Sequence, residues 1–288
     1  MRQPTVEWQV CGVCNYDCSY CIQSKKYRVG HPSADDVARF LDFFETLPGT
    51  WEVKTTGGEP FAFKGFMERI VPGLAARTPH VLSTLTNLSA PWPVLERFAR
   101  LTRGRLGIVS ASLHLEFTTV EAFVDKALRL RDAIDGDARL VVNAVLAPGR
   151  LDDVTRAKEV VTRAGLPFFP QVMKVKGSVH AYDEVDAPAV SRLVGISPSP
   201  RRANVAPSYR GRACWAGAEY FVLTQTGDAW ACRTSKRAGE GRLGNVLDGT
   251  FALASGPTPC AYDICPCTVP ANRGMIEGVG RAARAEAE

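Results

Sequence analysis

The strongest constraint on the fold of this 288-residue chain is an alternation of apolar and amphipathic segments from residue 5 to about residue 175. The apolar segments predict β-strands at 5–11, 51–56, 80–85, 106–113, 139–146 and 167–174. The segments between them carry apolar residues three or four positions apart, which predicts helices. Repeated strand–helix units are typical of a parallel sheet covered by helices, so we predict an α/β fold.

The clearest predicted helix follows the first strand. Ser33 and Asp36 resemble a capping signal at its start. One face of this helix is then apolar, with Val37, Phe40, Leu41 and Phe44. Further helices are predicted at 92–101, 118–134 and 151–164.

The pattern changes near residue 180. Several prolines mark a connecting segment there, and five cysteines follow it. We therefore divide the chain into a first domain at 1–180, a connecting segment at 181–210 and a second, α+β module at 211–288. Within that module, residues 220–230 alternate in polarity and contain a Thr-Gly-Asp turn, which predicts a β-hairpin.

The composition excludes several classes of protein. A hydrophobic content of 45% suits a large core, and no apolar run is long enough to span a membrane. The net charge is +5, but the basic residues are dispersed, so we expect no nucleic-acid partner. The first residues lack the pattern of a secretory signal, so we expect a cytoplasmic protein with reduced thiols.

Three cysteines directly follow the first predicted strand. Cys14, Cys18 and Cys21 have C-x3-C-x2-C spacing. Three thiolates on a four-iron cluster leave one iron open to a ligand that is not protein. A structural zinc site is the alternative, but zinc ribbons normally use two C-x2-C pairs. The length of the chain argues against a disulfide-stapled scaffold.

Together with Gly57-Gly58-Glu59-Pro60 after the second strand, these cysteines resemble the radical S-adenosylmethionine (SAM) superfamily. The resemblance implies a partial (β/α)6 barrel and a [4Fe-4S] cluster whose open iron is chelated by SAM. It also implies reductive cleavage of SAM to a 5′-deoxyadenosyl radical, with an electron from a reductant such as flavodoxin or ferredoxin.

The same resemblance assigns roles to individual residues. Cys14, Cys18 and Cys21 would hold the cluster, and Gly57, Gly58 and Glu59 would bind the amino group of SAM. Glycine lets the backbone approach a ligand closely, and a carboxylate suits an ammonium group. Further contacts to SAM are expected from Tyr20, Thr86, Asn87, Ser110 and Ser112. For the residues at strand ends, all of these except Tyr20, a plain turn or cap role is the alternative. For Tyr20, the alternative is that it shields the cluster from solvent.

Two further residues are candidates for substrate contacts. His114 follows the fourth strand, and Gln171 lies on the sixth. Ligands of parallel α/β proteins bind at the carboxyl ends of the strands, which is where His114 is expected. Capping by His114 and a core or surface role for Gln171 are the alternatives.

The late cysteines and the hairpin resemble the Twitch or SPASM extension, which binds an auxiliary [4Fe-4S] cluster. Four thiolates complete one such cluster, so one of the five is left over. We assign Cys214, Cys232, Cys265 and Cys267 as ligands and Cys260 as a free hydrogen-atom donor. Cys265 and Cys267 are the alternative donors, because the tail departs from the full SPASM spacing.

The short barrel with a one-cluster extension resembles epimerases and dehydrogenases that act on sugars in antibiotic pathways. We therefore predict epimerisation at a carbinol carbon of a small-molecule glycoside, with hydrogen return from a cysteine thiol. Oxidation of the same alcohol to a ketone and epimerisation or crosslinking of a peptide are alternatives. From another class, a non-catalytic iron–sulfur carrier is disfavoured by the complete Gly57-Gly58-Glu59 motif.

Overall fold

The computed structural model describes residues 2–23, 30–134, 136–175, 178–194, 208–263, 265 and 269–279. Six strands lie side by side in chain order and run parallel. They are β1 (Thr5–Cys11), β2 (Glu52–Gly57), β3 (Val81–Thr86), β4 (Leu106–Leu113), β5 (Arg139–Leu146) and β6 (Phe168–Val172). The predicted strands are confirmed to within two residues at each end. The mixed α/β fold and its parallel strands are consistent with a partial barrel.

A helix follows each of these strands along the chain. The helices are α1 (Ala34–Thr46), α2 (Val71–Arg77), α3 (Trp92–Leu101), α4 (Val120–Ala133), α5 (Leu151–Arg163) and α6 (Ala187–Val194). The predicted capping signal is confirmed: Ser33 Oγ accepts from the Asp36 amide over 3.0 Å, and the Asp36 carboxylate accepts from the Ser33 amide over 3.2 Å. The apolar face of α1 is buried as expected.

The helices cover one face of the sheet. Trp8 of β1 packs on Phe40 and Phe44 of α1, with ring centroids 4.9 and 5.1 Å apart. Because side chains alternate along a strand, Glu7 and Gln9 lie on the opposite face, which we call the inner face. The core therefore lies between the sheet and the helices.

The helical segment between β2 and β3 was not among the helices predicted from the sequence. A π-helical turn at Phe66–Ile70 leads directly into α2. Pro72 and Gly73 weaken the helical pattern there, but Gly73 serves the packing of α2 on α1. A Cβ atom at Gly73 would lie 2.4 Å from Leu41 Cδ1, so a larger residue there would require the Leu41 side chain to move.

The C-terminal residues extend the same sheet. Strand β10 (Tyr220–Leu223) runs parallel to β1, with Tyr220 beside Thr5, and pairs with antiparallel β11 (Asp228–Trp230), which confirms the predicted hairpin. Gly227 in its turn has φ +87°, a conformation that glycine tolerates. Strand β12 (Arg242–Asn245) completes a nine-stranded sheet within the described residues.

The remaining elements are short. Strand β7 (Lys174–Val175) pairs with β8 (Ser178–Val179), and β9 (Ala213–Cys214) pairs with β13 (Thr258–Pro259). Helices α7 (Arg233–Ala238) and α8 (Val269–Asn272) complete the described C-terminal part. None of the helices in the described ranges is long and apolar enough to cross a membrane.

Candidate functional site

The loop that follows β1 carries the three early cysteines; we call residues 12–23 the cluster loop. Cys18 is buried, whereas Cys14 is half-buried and Cys21 is exposed. Burial and the neighbouring Cys21 and Cys14 thiols raise the pKa of Cys18 to about 12, so the three thiols lie near one another. The Tyr16 amide donates to Cys14 Sγ over 3.4 Å.

These thiols do not converge on a single point. Within the described residues, no three His, Cys, Asp or Glu side chains are arranged to hold one metal ion. In an iron–sulfur cube each thiolate binds a different iron, so spaced thiols on one loop fit a cluster better than a zinc ion. The donor set therefore suits the [4Fe-4S] cluster expected from the spacing.

The glycines of the Gly-Gly-Glu-Pro segment allow the start of the cluster loop to pack closely against the end of β2. The Gly58 amide donates to the Cys11 carbonyl over 2.9 Å, and the Glu59 amide donates to the Val13 carbonyl over 2.8 Å. A Cβ at Gly58 would lie 1.9 Å from the Val13 oxygen, and one at Gly57 would lie 2.5 Å from the Cys11 oxygen. The glycines are thus required by the protein's own backbone, before any ligand is considered.

Glu59 links the ends of β2 and β3. Its carboxylate accepts from Thr86 Oγ1 and the Asn87 amide, each over 2.7 Å, and from the Phe61 amide over 3.2 Å. Burial raises its pKa to about 7, against these hydrogen bonds. Thr86, Asn87 and Glu59 are therefore brought together, and a contact from any of them to SAM stays a prediction.

Ser110 and Ser112 lie on the inner face of β4, and Asn143 of β5 joins them. Asn143 Nδ2 donates to Ser110 Oγ, and Ser112 Oγ donates to Asn143 Oδ1, each over 3.1 Å. Asn143 was not among the residues expected from the sequence. Its signal was a buried amide within an apolar strand, a position where a polar group needs partners.

His114 lies against Tyr20 and Cys18 of the cluster loop rather than in open space. The His114 Nδ1 atom is 3.0 Å from Tyr20 Oη and 3.4 Å from Cys18 Sγ. Burial lowers the pKa of His114 to about 4, so the ring is neutral near pH 7. Burial also raises the pKa of Tyr20.

Gln171 lies apart from that group. It pairs in register with Val145 of β5, whose side chain packs with Cys18 and Tyr20. Aligned residues of parallel strands share a face, so Gln171 lies on the inner face.

Several polar contacts of the cluster loop had no signal in the sequence. Asn15 Nδ2 donates to Ser89 Oγ over 2.9 Å, and Asn87 Nδ2 donates to Asn15 Oδ1 over 3.0 Å. Gln23 Nε2 donates to the Gly57 carbonyl over 2.9 Å. These contacts join residues far apart in the chain, so no local pattern marks them.

A second group of thiols lies in the C-terminal part. Cys214 ends β9 opposite Thr258 of β13, and the Cys260 amide donates to the Arg212 carbonyl over 2.9 Å. Burial raises the pKa of Cys214 to about 11, with smaller contributions from the neighbouring Cys260 and Cys232 thiols. Cys260 therefore lies beside Cys214, one of the cysteines expected to be a ligand.

Cys232 and Cys265 complete this group as far as the structure describes it. Cys232 caps α7 and its Sγ accepts from the Ser235 amide over 3.2 Å. Cys265 is buried in an apolar cluster with Tyr209 and Ile276, against which Cys214 and Cys260 pack. Cys267 lies outside the described residues.

The two thiol groups lie toward opposite ends of the sheet. The cluster loop leaves the carboxyl end of β1. Tyr220 lies beside Thr5 at the amino end of β1, and the hairpin returns so that Trp230 pairs with Val222. The chain reaches Cys232 two residues later, while still running toward that amino end.

Comparison with known proteins places this geometry in a family. The model of the radical SAM superfamily matches residues 8–154. GTP 3′,8-cyclase of Shewanella denitrificans is 31% identical over 146 residues, which are 47% of this chain and 42% of the relative. The same enzyme of Streptomyces coelicolor is 31% identical over 153 residues, or 49% and 44% of the two chains. The match thus spans less than half of each relative.

Solved structures share the fold at low sequence identity. Native anSMEcpe with bound AdoMet and Kp18Cys peptide aligns with a TM-score of 0.59 at 15% identity, covering 86% of this chain and 79% of that one. Streptococcus suis SuiB bound to precursor peptide SuiA aligns with a TM-score of 0.59 at 13% identity, covering 87% and 65%. The family implies a [4Fe-4S] cluster and SAM as cofactors. Because the family model covers half of its residues, this chain belongs to the radical SAM superfamily.

Proposed function

We propose that this protein is a radical SAM enzyme that oxidises a carbinol carbon of a glycoside to a ketone. The observation that carries this proposal is the grouping of Cys260 and Cys265 with Cys214, since a group of thiols there could hold an electron-accepting cluster. Bound to their sites, SAM and its cluster supply a radical that removes a hydrogen atom, and an auxiliary cluster supplies an acceptor for one electron. The alcohol then loses its hydroxyl proton to complete the ketone.

The cluster loop supplies the first site. Cys14, Cys18 and Cys21 are the proposed ligands, and the segment at Gly57–Glu59 holds the loop through backbone hydrogen bonds. Glu59 has a further role in this proposal, because its carboxylate fixes Thr86 and Asn87 at the strand ends where SAM would bind.

The C-terminal thiols supply the second site. Cys214, Cys232, Cys260 and Cys265 are four thiols in one region, and four thiolates give a four-iron cluster full protein ligation. This ligand set differs from the set expected from the sequence, in which Cys260 was the free donor. We prefer it because Cys260 packs in the same cluster as Cys214 and Cys265, which makes it a natural ligand.

The inner face of the sheet suits a hydroxylated substrate. Beyond the buried ion pairs, it presents polar side chains from several of the parallel strands: Gln9, Lys54, Thr56, Ser110, Ser112, Asn143 and Gln171. Such a surface offers donors and acceptors to hydroxyl groups, whereas an apolar substrate would leave them unpaired. A substrate on this face would lie between the two thiol groups.

Epimerisation is the second candidate, and the cysteine count favours it. The chain has nine cysteines. If seven bind clusters and Cys11 stays buried, one thiol remains to return a hydrogen atom. With Cys260 as a ligand, the donor would be Cys267, one of the alternatives expected from the sequence.

One experiment separates these outcomes. The reconstituted protein, SAM and a panel of glycosides are incubated in deuterated water without oxygen, and the products are analysed by mass spectrometry. Loss of two hydrogens supports oxidation, whereas an isomer with one carbon-bound deuterium supports epimerisation. GTP belongs in the panel because the curated relatives are GTP 3′,8-cyclases. A modified GTP, with the glycosides unchanged, would overturn the glycoside proposal.

A further inference from the structure

One cluster-loop thiol has two polar side chains beside it. Cys18 Sγ is 3.4 Å from His114 Nδ1, and the Tyr20 hydroxyl is 3.0 Å from the same nitrogen. Beyond burial, the neighbouring Cys18 thiol also contributes to the raised pKa of Tyr20. The three groups therefore meet around one sulfur.

The residues that follow β4 hold this arrangement in place. Glu116 accepts from the Ser19 amide over 2.9 Å and from the Ser19 hydroxyl. Phe117 stacks on Tyr16, with ring centroids 4.4 Å apart and nearly parallel planes. Residues 114–117 thus fasten the cluster loop on both sides of Cys18, so the position of the imidazole is set by several contacts.

The chemistry of a thiolate ligand determines which groups donate the hydrogen bonds. A thiolate sulfur carries no proton, so it only accepts hydrogen bonds. A neutral imidazole has one N–H, and a phenol has one O–H. With the proton on Nδ1, both His114 and Tyr20 have a hydrogen to offer to Cys18.

We propose that His114 is a positioning residue that donates a hydrogen bond to the Cys18 thiolate and thereby raises the reduction potential of the SAM-binding cluster. The inference rests on the proposed assignment of Cys14, Cys18 and Cys21 as ligands. Reduction adds one electron to the cluster and no proton. Since the added negative charge spreads to the ligand sulfurs, a donor beside one of them favours the reduced state.

This role replaces the substrate contact expected for His114. The ring is enclosed by Tyr16, edge-on at 5.9 Å, and by Tyr20, stacked at 5.9 Å. Its Nδ1 atom already has partners within the protein. A substrate contact would have to use the other ring nitrogen, Nε2, so the two roles involve different atoms of the ring.

The test compares His114→Phe, which removes the donor, with His114→Asn, whose amide nitrogen can occupy the position of Nδ1. Each protein is titrated with dithionite without oxygen and followed by electron paramagnetic resonance. The cluster with an open iron is identified as the one whose spectrum changes when SAM is added. Phe117→Ala is the control, because it loosens the loop without touching Cys18.

We expect His114→Phe to lower the equilibrium constant for reduction about tenfold, which is about 59 mV for one electron. His114→Asn should restore most of this loss, and Phe117→Ala, which keeps the donor, should change the potential less than His114→Phe does. If the cluster of His114→Phe keeps the reduction potential of the unaltered protein while the KM for substrate rises, the inference is overturned in favour of a substrate contact.

Two further outcomes are informative. If His114→Phe assembles no cluster, His114→Asn is compared with His114→Gln, whose longer side chain does not place its amide nitrogen at the position of Nδ1, and equal potentials in the two would overturn the role of the Nδ1 donor. If the unaltered protein itself forms no cluster that responds to SAM, the ligand assignment fails, and the proposed function fails with it. If the unaltered protein forms a cluster that responds to SAM but His114→Phe has the same reduction potential, only the role of His114 is overturned.

Discussion

Arg233 donates from Nε to Glu7 Oε2 over 2.8 Å, and this ion pair joins the residue after Cys232 to the first strand of the sheet. The Glu7 side chain is 3% exposed, and the Tyr220 hydroxyl donates to the same oxygen. Arg273 makes a similar buried pair with Glu52 of β2. Two charged contacts therefore fasten the C-terminal part to the barrel strands.

Removing one partner of the first pair should be costly. Arg233→Met leaves the Glu7 carboxylate buried without its main counter-charge, and we expect a loss of about 3–5 kcal/mol in the free energy of unfolding. Chemical denaturation measures it. Arg242→Met is the matched control, because its pair with Asp228 is half exposed and should contribute at most about 1 kcal/mol. Equal losses in the two variants would contradict this reading.

The same pair should make stability depend on acid. Burial alone would raise the pKa of Glu7, but Arg233, Lys54 and the Tyr220 hydroxyl hold it at about 2, below the ordinary 4.5. The folded state then binds fewer protons than the unfolded state between these values. The contribution is complete above about pH 5 and is lost as the pH falls toward 2. Denaturation of cluster-free protein at pH 5 and pH 3 should show a smaller difference in Glu7→Gln.

Gly58→Ala should prevent the cluster loop from seating. The added Cβ would lie 1.9 Å from the Val13 carbonyl oxygen, so the backbone must move and the three thiols lose their positions. We expect iron content and 5′-deoxyadenosine formation to fall together. Gly136→Ala serves as the control, since a Cβ there meets nothing within 4 Å. Normal iron content in Gly58→Ala would show that the close approach is unimportant.

The elements that the sequence predicted well are those with local causes. Helix α1 begins at the expected Ser33 cap and buries the expected face, because capping and helical periodicity act over a few residues. The parallel pairing of β10 with β1 was not predicted. Thr5 and Tyr220, which lie side by side in this pairing, are 215 positions apart in the chain (220 − 5). A pairing over that distance depends on the whole fold.

The site divides in the same way. The spacing of Cys14, Cys18 and Cys21 and the Gly57-Gly58 pair are local motifs and could be read directly. The positions of Asn143 and Cys260 could not, because each depends on which strands become neighbours. Side-chain contacts across a sheet follow from strand order, and strand order cannot be predicted from a short segment of the sequence alone.

Asn143→Ala should weaken the binding of SAM at the inner face without affecting assembly of the cluster. Its amide orients the hydroxyls of Ser110 and Ser112, which are expected to contact SAM. Losing a hydrogen bond of about 1 kcal/mol corresponds to about a fivefold loss of SAM affinity, measured by anaerobic calorimetry. Thr155→Ala, which loses only a bond to its own helix, should bind SAM normally. Unchanged affinity in Asn143→Ala would remove these serines from the SAM site.

Cys260→Ala distinguishes a ligand from a hydrogen donor, with Cys267→Ala as its matched partner. If Cys260 completes the C-terminal site, its loss should reduce the iron content from about eight to about four per chain while 5′-deoxyadenosine still forms. Cys267→Ala should keep both clusters, because four other thiols remain in that region. Full iron content in Cys260→Ala, with loss of an inverted product, would return Cys260 to the donor role and favour epimerisation over oxidation.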